Sequence, residues 1–410
     1  MKLGALSLFS FHFPKKYATV AALMKKSSLF LLSLSGCILF SSSVFAKEKI
    51  IKEKVTLVDT SVTDELDSRN KYPSLKIDGF SDVGFRYEKA GKDVDDQNNA
   101  FALGQLDFFI NSKLQEKLTV LSELVFEHNA TNSLGTDLER IELCYAVSDL
   151  FKINVGRFHT PVDLWNILYH HGAWLRTPID RPTYVEFEDG GGILPSHLIG
   201  LNITGTHNGS SVKFDYNFGL GNGRGRIEDE VTNVVDHNAF KAVVLMLLFS
   251  PNAIDGLTIG ETTWFDRIPS NPGPSAADLA SGVIARAGDM DELIQGGILQ
   301  YNHKHVEWLS EFSYIYHKDR TTDVTYKNYG AYAQLGYHIR KFTPYLRFDY
   351  LKLDSADTFY APNTADLNGY HVGLRWDPFD FAALKLEYEL RDQEGSSKLN
   401  IVALNASFHF

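Results

Sequence analysis

Cysteine is nearly absent from this 410-residue chain, which holds only Cys37 and Cys144. A disulfide framework is therefore excluded as the basis of the fold. After residue 46 the chain also lacks an apolar run long enough for a membrane helix, and it has no glycine-rich nucleotide loop. Basic charge is scarce: residues 1–46 hold five lysines and no acid, so the remainder carries 35 basic and 51 acidic residues. We therefore expect no nucleic-acid partner.

The N-terminal segment has the pattern of a secretory signal peptide. A basic stretch begins at Met24, residues 29–45 are mostly apolar, and the sequence VFA at 44–46 fits a cleavage site. The pattern predicts a signal peptide over 1–46, with translation starting at Met24. The sequence LSGC at 34–37 resembles a lipobox, but an acylated Cys37 would be followed by apolar residues rather than a polar tether, which argues against lipidation.

Residues 47–74 are charged and polar without regular alternation, and they predict a periplasmic N-terminal extension. The other end of the chain alternates strictly: Val402, Leu404 and Phe408 share one face of a strand, while Asn405 and Ser407 share the other. A terminal strand that ends on an aromatic residue resembles those of bacterial outer-membrane β-barrels. An exported soluble β-sandwich is the alternative, but its long apolar edge would favour aggregation. The sequence therefore predicts an all-β, transmembrane, antiparallel up-and-down barrel over 75–410.

Alternation with charges on one face recurs along the chain, and charged residues on that face require water beside them. In 382–391, for example, Leu384 and Leu386 oppose Lys385 and Glu387. About sixteen such segments are present. The predicted connections after even-numbered strands are short and most of those after odd-numbered strands are long, as expected for periplasmic turns and outer loops.

At residues 153–161 the sequence INVGRFHTP resembles the phosphate-selective porin O and P family. This resemblance implies a sixteen-stranded, trimeric porin whose third outer loop folds into the lumen. Phosphate selectivity in that family depends on arginine ladders and lysine clusters in the pore. This chain instead has an acidic predicted lumen, with only Arg157, Arg176 and Arg181 around the long loop, so we do not carry the phosphate specificity over.

The longest connection, 159–195, contains the sequence LWNILYHHGAWLR and is the predicted constriction loop. His170 and His171 are weak metal candidates, because adjacent side chains project in different directions and a site needs three or four converging ligands. We expect one of them to line the pore or form structural hydrogen bonds, and we predict no catalytic residue and no cofactor. The predicted pore-lining residues combine the polar residues of the loop with inward charges of the strands: His159, Asp163, His170, His171, Arg176, Asp180, Arg181, Glu186, Glu188, Asp189, Arg86, Asp107, Glu123, Arg140, Arg347, Arg375 and Glu387.

These features predict an outer-membrane porin, a passive and mildly cation-preferring channel for small hydrophilic solutes or ions. Its expected partners are outer-membrane lipid, the solutes and two further copies of the chain. The alternative is a substrate-specific channel for a sugar, an organic acid or a phosphate-like anion. A barrel-rim enzyme or an adhesin is a more remote alternative.

Overall fold

The computed structural model describes residues 72–91, 97–128, 133–186, 192–228, 234–360 and 366–410. The predicted signal peptide, Cys37 and most of the predicted extension lie outside these residues. Sixteen antiparallel strands form one closed barrel, which confirms the predicted fold class. The strands are β1 (Ser74–Ala90), β2 (Gln97–Gln115), β3 (Leu118–His128), β4 (Leu134–Ser148), β5 (Phe151–His159), β6 (His197–Asn208), β7 (Val212–Asn222), β8 (Lys241–Pro251), β9 (Leu257–Ile268), β10 (Met290–His303), β11 (Val306–Asp319), β12 (Thr325–Tyr337), β13 (Phe342–Lys352), β14 (Leu367–Phe379), β15 (Ala382–Gln393) and β16 (Leu399–His409).

Two short helices lie between strands: α1 (Leu164–Tyr169) and α2 (Ala276–Ala280). A 3-10 turn spans Thr183–Val185. Among the described residues no helix has the length and apolar character needed to cross a membrane.

The barrel closes by pairing β1 with β16, from Phe80 opposite His409 to Ala90 opposite Leu399. Below this ladder, Gly79 and Phe410 exchange both backbone hydrogen bonds, at 2.7 and 2.9 Å. A Cβ at Gly79 would lie 2.5 Å from the Phe410 ring, so the glycine gives the terminal aromatic room to pack against β1.

The outer face is apolar and the inner face is polar along most strands. On β15 the exposed Leu384, Leu386 and Tyr388 alternate with the buried Lys385 and Glu387. This is the period-two pattern that the sequence predicts, and it gives the barrel an apolar belt suited to lipid.

Strand β8 departs from this pattern because it is apolar on both faces. Its inward side chains, Ala242, Val244, Met246 and Leu248, belong to a buried apolar cluster that also includes Trp165 of α1. The cluster continues along the inner wall from β9 to β13. The segment after β5 therefore packs inside the barrel against this part of the wall.

Candidate functional site

The connection 160–196 crosses the barrel interior, and the structure describes it over 160–186 and 192–196. Its helix α1 begins at Asp163, whose side chain accepts a hydrogen bond from Asn166 N at 2.6 Å. Glu311 of β11 accepts from the backbone nitrogens of Leu164 and Trp165, at 2.6 and 3.0 Å. A carboxylate is stabilised by the partial positive charge at a helix N-terminus, so Glu311 fixes α1 against the wall. Burial raises the pKa of Asp163 well above its usual range, and the Glu311 carboxylate raises it further.

The two ends of the loop are tied together beside α1. Asn166 Nδ2 donates to the carbonyl oxygens of Thr160 and Ser196, at 2.9 and 2.8 Å. Thr160 N also donates to the Ser196 carbonyl, at 2.9 Å. The fully buried Trp165 meets Tyr332 of β12 edge to face, with ring centroids 5.5 Å apart. These contacts hold the start of the loop inside the barrel.

Basic side chains of the opposite wall bind backbone carbonyls of the loop. Lys385 Nζ donates to the carbonyls of residues 173, 176 and 178, at 2.5, 2.7 and 3.1 Å. Arg375 Nη1 reaches the carbonyls of 174 and 176, at 2.8 and 2.7 Å, and Arg347 Nη1 reaches that of 180 at 2.6 Å. Each buried cation thus joins the main chain of the loop to the wall through charge-assisted hydrogen bonds.

Acidic residues of the same wall bind loop donors. Glu387 accepts from Ile179 N at 3.0 Å, and Asp349 accepts from Thr183 N at 3.2 Å. Glu387 is 1% exposed, compared with 3% for Arg347 and 6% for Arg375. The structure therefore places these three predicted pore-lining residues on the inner wall, but beneath the loop.

A second group of charges stays partly exposed where the loop faces β1 and β15. Arg86 Nη1 contacts Asp180 at 2.7 Å, and Arg391 Nη2 lies 3.7 Å from Glu186. The exposed side-chain fractions are 33% for Arg86, 24% for Asp180 and 19% for Glu186. We call Arg86, Asp180, Glu186 and Arg391 the charged opening.

Burial shifts the pKa values of two loop residues in this region. It raises the pKa of Glu186 to about 7, although Arg391 acts in the opposite direction. It lowers the pKa of Arg176 to about 10, and Arg181 lowers it further. Arg176 is partly buried, and its Nε donates to the carbonyl of residue 179 at 3.1 Å. Arg181 is 9% exposed. Glu188 and Asp189 lie outside the described residues.

The histidines form a separate buried cluster at the base of the loop. His159 ends β5, His170 and His171 follow α1, and His197 begins β6. Around Glu139 Oε2 lie His197 Nε2 at 2.7 Å, His171 Nε2 at 3.3 Å and His170 Nε2 at 3.8 Å. We call Glu139 with these four histidines the histidine cluster.

Three predicted residues, Asp107, Glu123 and Arg140, surround this cluster. Arg140 Nε donates a hydrogen bond to the buried Glu123 carboxylate, and Asp107 accepts a hydrogen bond from Gly172 N at 2.8 Å. His171 Nδ1 meets Gln105 Oε1 at 3.0 Å. The loop chain reverses at Gly172, where φ is 73°. The adjacent His170 and His171 rings meet edge to face, with centroids 4.4 Å apart, and both reach Glu139.

Sequence reasoning missed Glu139. If side chains alternated strictly along β4 and Arg140 faced inwards, the neighbouring Glu139 would face lipid. The pairing of β3 with β4 shifts here: Glu123 lies opposite Arg140 and Leu124 lies opposite Leu138, so Glu139 is an extra residue. Such a β-bulge lets two consecutive side chains turn to one side, and both Glu139 and Arg140 are buried. A signal was present in the three-residue spacing from Leu138 to Ile141, which breaks the period of two.

Comparison with known proteins gives structural neighbours only. No family model matches the chain, and no curated protein matches it. The anion-selective porin of Comamonas acidovorans has a TM-score of 0.57 and 10% identity, over 82% of this chain and 99% of that one. The fold is a porin fold. The outer-membrane channel DcaP of Acinetobacter baumannii gives 0.54 and 12% identity, over 82% and 97%. The trimer form of OmpT, an outer-membrane protein of Vibrio cholerae, gives 0.54 and 11%, over 82% and 100%.

The porin fold agrees with the surface of the barrel. These neighbours are outer-membrane proteins or porins, and a sixteen-stranded barrel with an exposed apolar belt fits the bacterial outer membrane.

Proposed function

We propose that this chain is an outer-membrane diffusion channel for small hydrophilic solutes and ions, with a mild preference for cations. The observation that carries the proposal is the loop 160–196, which is held across the interior and leaves charged side chains partly exposed between itself and β1 and β15. Two cationic residues of the charged opening, Arg86 and Arg391, face two acidic ones.

The cation preference rests on two further carboxylates beside this opening. Glu88 contacts Arg86 Nε at 2.5 Å, and Glu389 contacts Arg391 Nε at 2.6 Å. Together with Asp180 and Glu186 they give four carboxylates around two arginines. Opposed charges orient polar solutes, and the acidic excess raises the local concentration of cations.

A substrate-specific channel is the second candidate. It is supported by the loop arginines Arg176 and Arg181, since the charge of Arg181 contributes to the lowered pKa of Arg176. Two guanidinium groups in one loop suit a carboxylate or a phosphate-like anion. The motif at 153–161 supports kinship with the phosphate-selective porin O and P family, without extending its specificity to this chain.

Planar-bilayer recording of the refolded, purified barrel tests both candidates. The general channel predicts conductance that rises linearly with KCl concentration, with no block by sugars, organic acids or inorganic phosphate. Saturation of conductance, or block by one of these solutes at low concentration, would favour the specific channel. A folded barrel that gives no channels at all would reject both and leave the adhesin or rim-enzyme alternative.

We further propose that the channel works as a homotrimer. The support is that one structural neighbour is described in a trimer form. Light scattering of the detergent-solubilised barrel should give three chains per particle, and a monomeric mass under the conditions that support conduction would contradict the proposal.

A further inference from the structure

Four residues of the histidine cluster bring potential metal ligands together. One ligand atom each from Glu139, His159, His170 and His197 lies within 4.8 Å of every other, and all four residues are buried. Three imidazoles and one carboxylate form a typical donor set for a divalent transition metal of borderline softness.

The hydrogen bonds of Asn166 determine which His170 nitrogen can bind a metal. Asn166 Nδ2 already donates to two backbone carbonyls, so its Oδ1 is the atom that meets His170 Nδ1, at 2.6 Å. Oδ1 is only an acceptor, and His170 Nδ1 therefore carries the proton. Metal-binding histidines are commonly oriented in this way by a bond to the other ring nitrogen.

A lone pair and a carboxylate face each other in the cluster. In the neutral ring with its proton on Nδ1, His170 Nε2 presents a lone pair. That lone pair lies 3.8 Å from the Glu139 carboxylate. Two electron-rich groups repel at this distance, and a cation between them would convert the repulsion into attraction.

His159 is the least satisfied member of the cluster. It is 7% exposed, and within the described part of the chain neither ring nitrogen has a hydrogen-bond partner. The nearest carboxylate contact is Glu123 Oε2, 3.8 Å from Nε2. A buried imidazole without hydrogen bonds is costly, and metal coordination would satisfy it.

We propose that Glu139, His159, His170 and His197 bind one divalent transition-metal ion, with Zn²⁺ as the preferred species. In a tetrahedral zinc site the ligand atoms are about 3.3 Å apart, given bonds of about 2.0 Å, so the side chains close inwards around the ion. The site joins β4 to both ends of the loop and to the end of α1. Its effect is to fix the base of the loop independently of what the channel conducts.

Metal binding requires side chains near the cluster to move. Arg140 donates to Glu123 and not to Glu139, whereas His171 Nε2 lies 3.3 Å from Glu139 Oε2 and must give way when that oxygen binds the metal. Arg157 Nη2 lies 3.1 Å from His197 Nδ1 and can only donate, so His197 now carries its proton on Nε2 and donates it to Glu139. When Nε2 binds the metal instead, that proton moves to Nδ1 and Arg157 must turn away towards Asp137, 3.6 Å from its Nη1.

The test measures zinc in the complete folded barrel, with ZnCl₂ supplied both during refolding and afterwards. After desalting, mass spectrometry of metals should find one zinc per chain, and titration calorimetry of the chelated protein should give the same stoichiometry. His159→Gln and His170→Gln should each weaken binding by about 100-fold or more, since even outer-shell changes cost 10- to 100-fold. The exposed His207→Gln is the matched control and should bind like the parent. Arg157→Gln should bind zinc at least as tightly as the parent, and MgCl₂ should not bind.

Two results would overturn the proposal. One is the absence of stoichiometric zinc in the folded parent protein, which needs no variant. The other is unchanged zinc affinity in both His159→Gln and His170→Gln, with folding of each variant confirmed by heat-modifiable migration on gels. Removal of zinc by a chelator should also lower the melting temperature of the parent but not that of His170→Gln.

Discussion

Neutralising either partner of the Arg86–Asp180 ion pair should change ion selectivity, and the two substitutions should change it in opposite directions. The pair joins β1 to the loop at 2.7 Å, and both side chains are partly exposed. Asp180→Asn removes a negative charge from the charged opening, whereas Arg86→Gln removes a positive one. Both replacements keep a polar side chain of similar size, so the fold should be retained.

The magnitude follows from Coulomb's law. A unit charge about 5 Å from a passing ion in water contributes about 0.8 kcal/mol, or about fourfold in the local concentration of that ion. Screening with a Debye length of about 10 Å at 0.1 M salt reduces the factor to roughly 2.3. Because the same charge acts oppositely on anions, the cation-to-anion permeability ratio should change by about fivefold for each variant.

Reversal potentials in a KCl gradient measure this ratio directly. Arg86→Gln should raise the preference for cations and Asp180→Asn should lower it. Lys398→Gln is a suitable control, because it removes the same charge as Arg86→Gln from an exposed loop, where Lys398 pairs with Asp392 at 2.7 Å. If both test variants moved the ratio in one direction, or if neither moved it, the charged opening would not lie on the permeation path.

Three further predictions concern pH, the loop and the strand before it. Because the pKa of Glu186 is raised to about 7, its side chain gains negative charge as the pH rises through neutrality. The preference for cations should therefore increase between about pH 6 and 8. Glu186→Gln should abolish this increase. Lys385→Met removes three hydrogen bonds, each worth about 1.5–3 kcal/mol, but it also removes a buried charge. The free energy of unfolding should fall by about 3 kcal/mol, so the melting temperature should fall and the channel should widen. An unchanged melting temperature together with unchanged conductance would contradict this. Gly156→Ala should destabilise the barrel by about 2 kcal/mol or more in denaturant titrations, since φ is 144° and the new Cβ would lie 1.9 Å from Ile141 O. Gly84→Ala is the control, because its new Cβ would lie 3.4 Å from the nearest atom. Equal stability of the two variants would refute the steric argument.

The strands could be predicted because their signal is local. Alternation within ten residues decides which side chains face lipid, and β15 and β16 show it without interruption. The alternation is weak in β8, which is apolar on both faces, and the reason for its apolar inner face was not predictable. That reason is Trp165, almost eighty residues earlier in the chain, which reaches the same apolar cluster only after the loop folds inwards.

The candidate sites were predictable only in part. Alternation along each strand puts Arg347, Arg375 and Glu387 on the inward face, but it could not show that the loop lies over them. Whether any predicted pore-lining residue meets the solute stays a prediction. The histidine cluster depends on a bulge at Glu139 and on the pairing of β5 with β6, which brings His197 opposite His159. Neither feature is visible from the neighbouring sequence LYHHGAW alone.

The anchorage of the loop by Lys385, Arg375 and Arg347 has an evolutionary consequence. These cations bind carbonyl oxygens of the main chain, and every amino acid supplies the same carbonyl. Substitutions at positions 173–181 can therefore exchange side chains inside the barrel while the path of the main chain stays fixed. The interior surface can diversify in this way without a change of fold, as in scaffolds whose variable loops lie on a rigid frame.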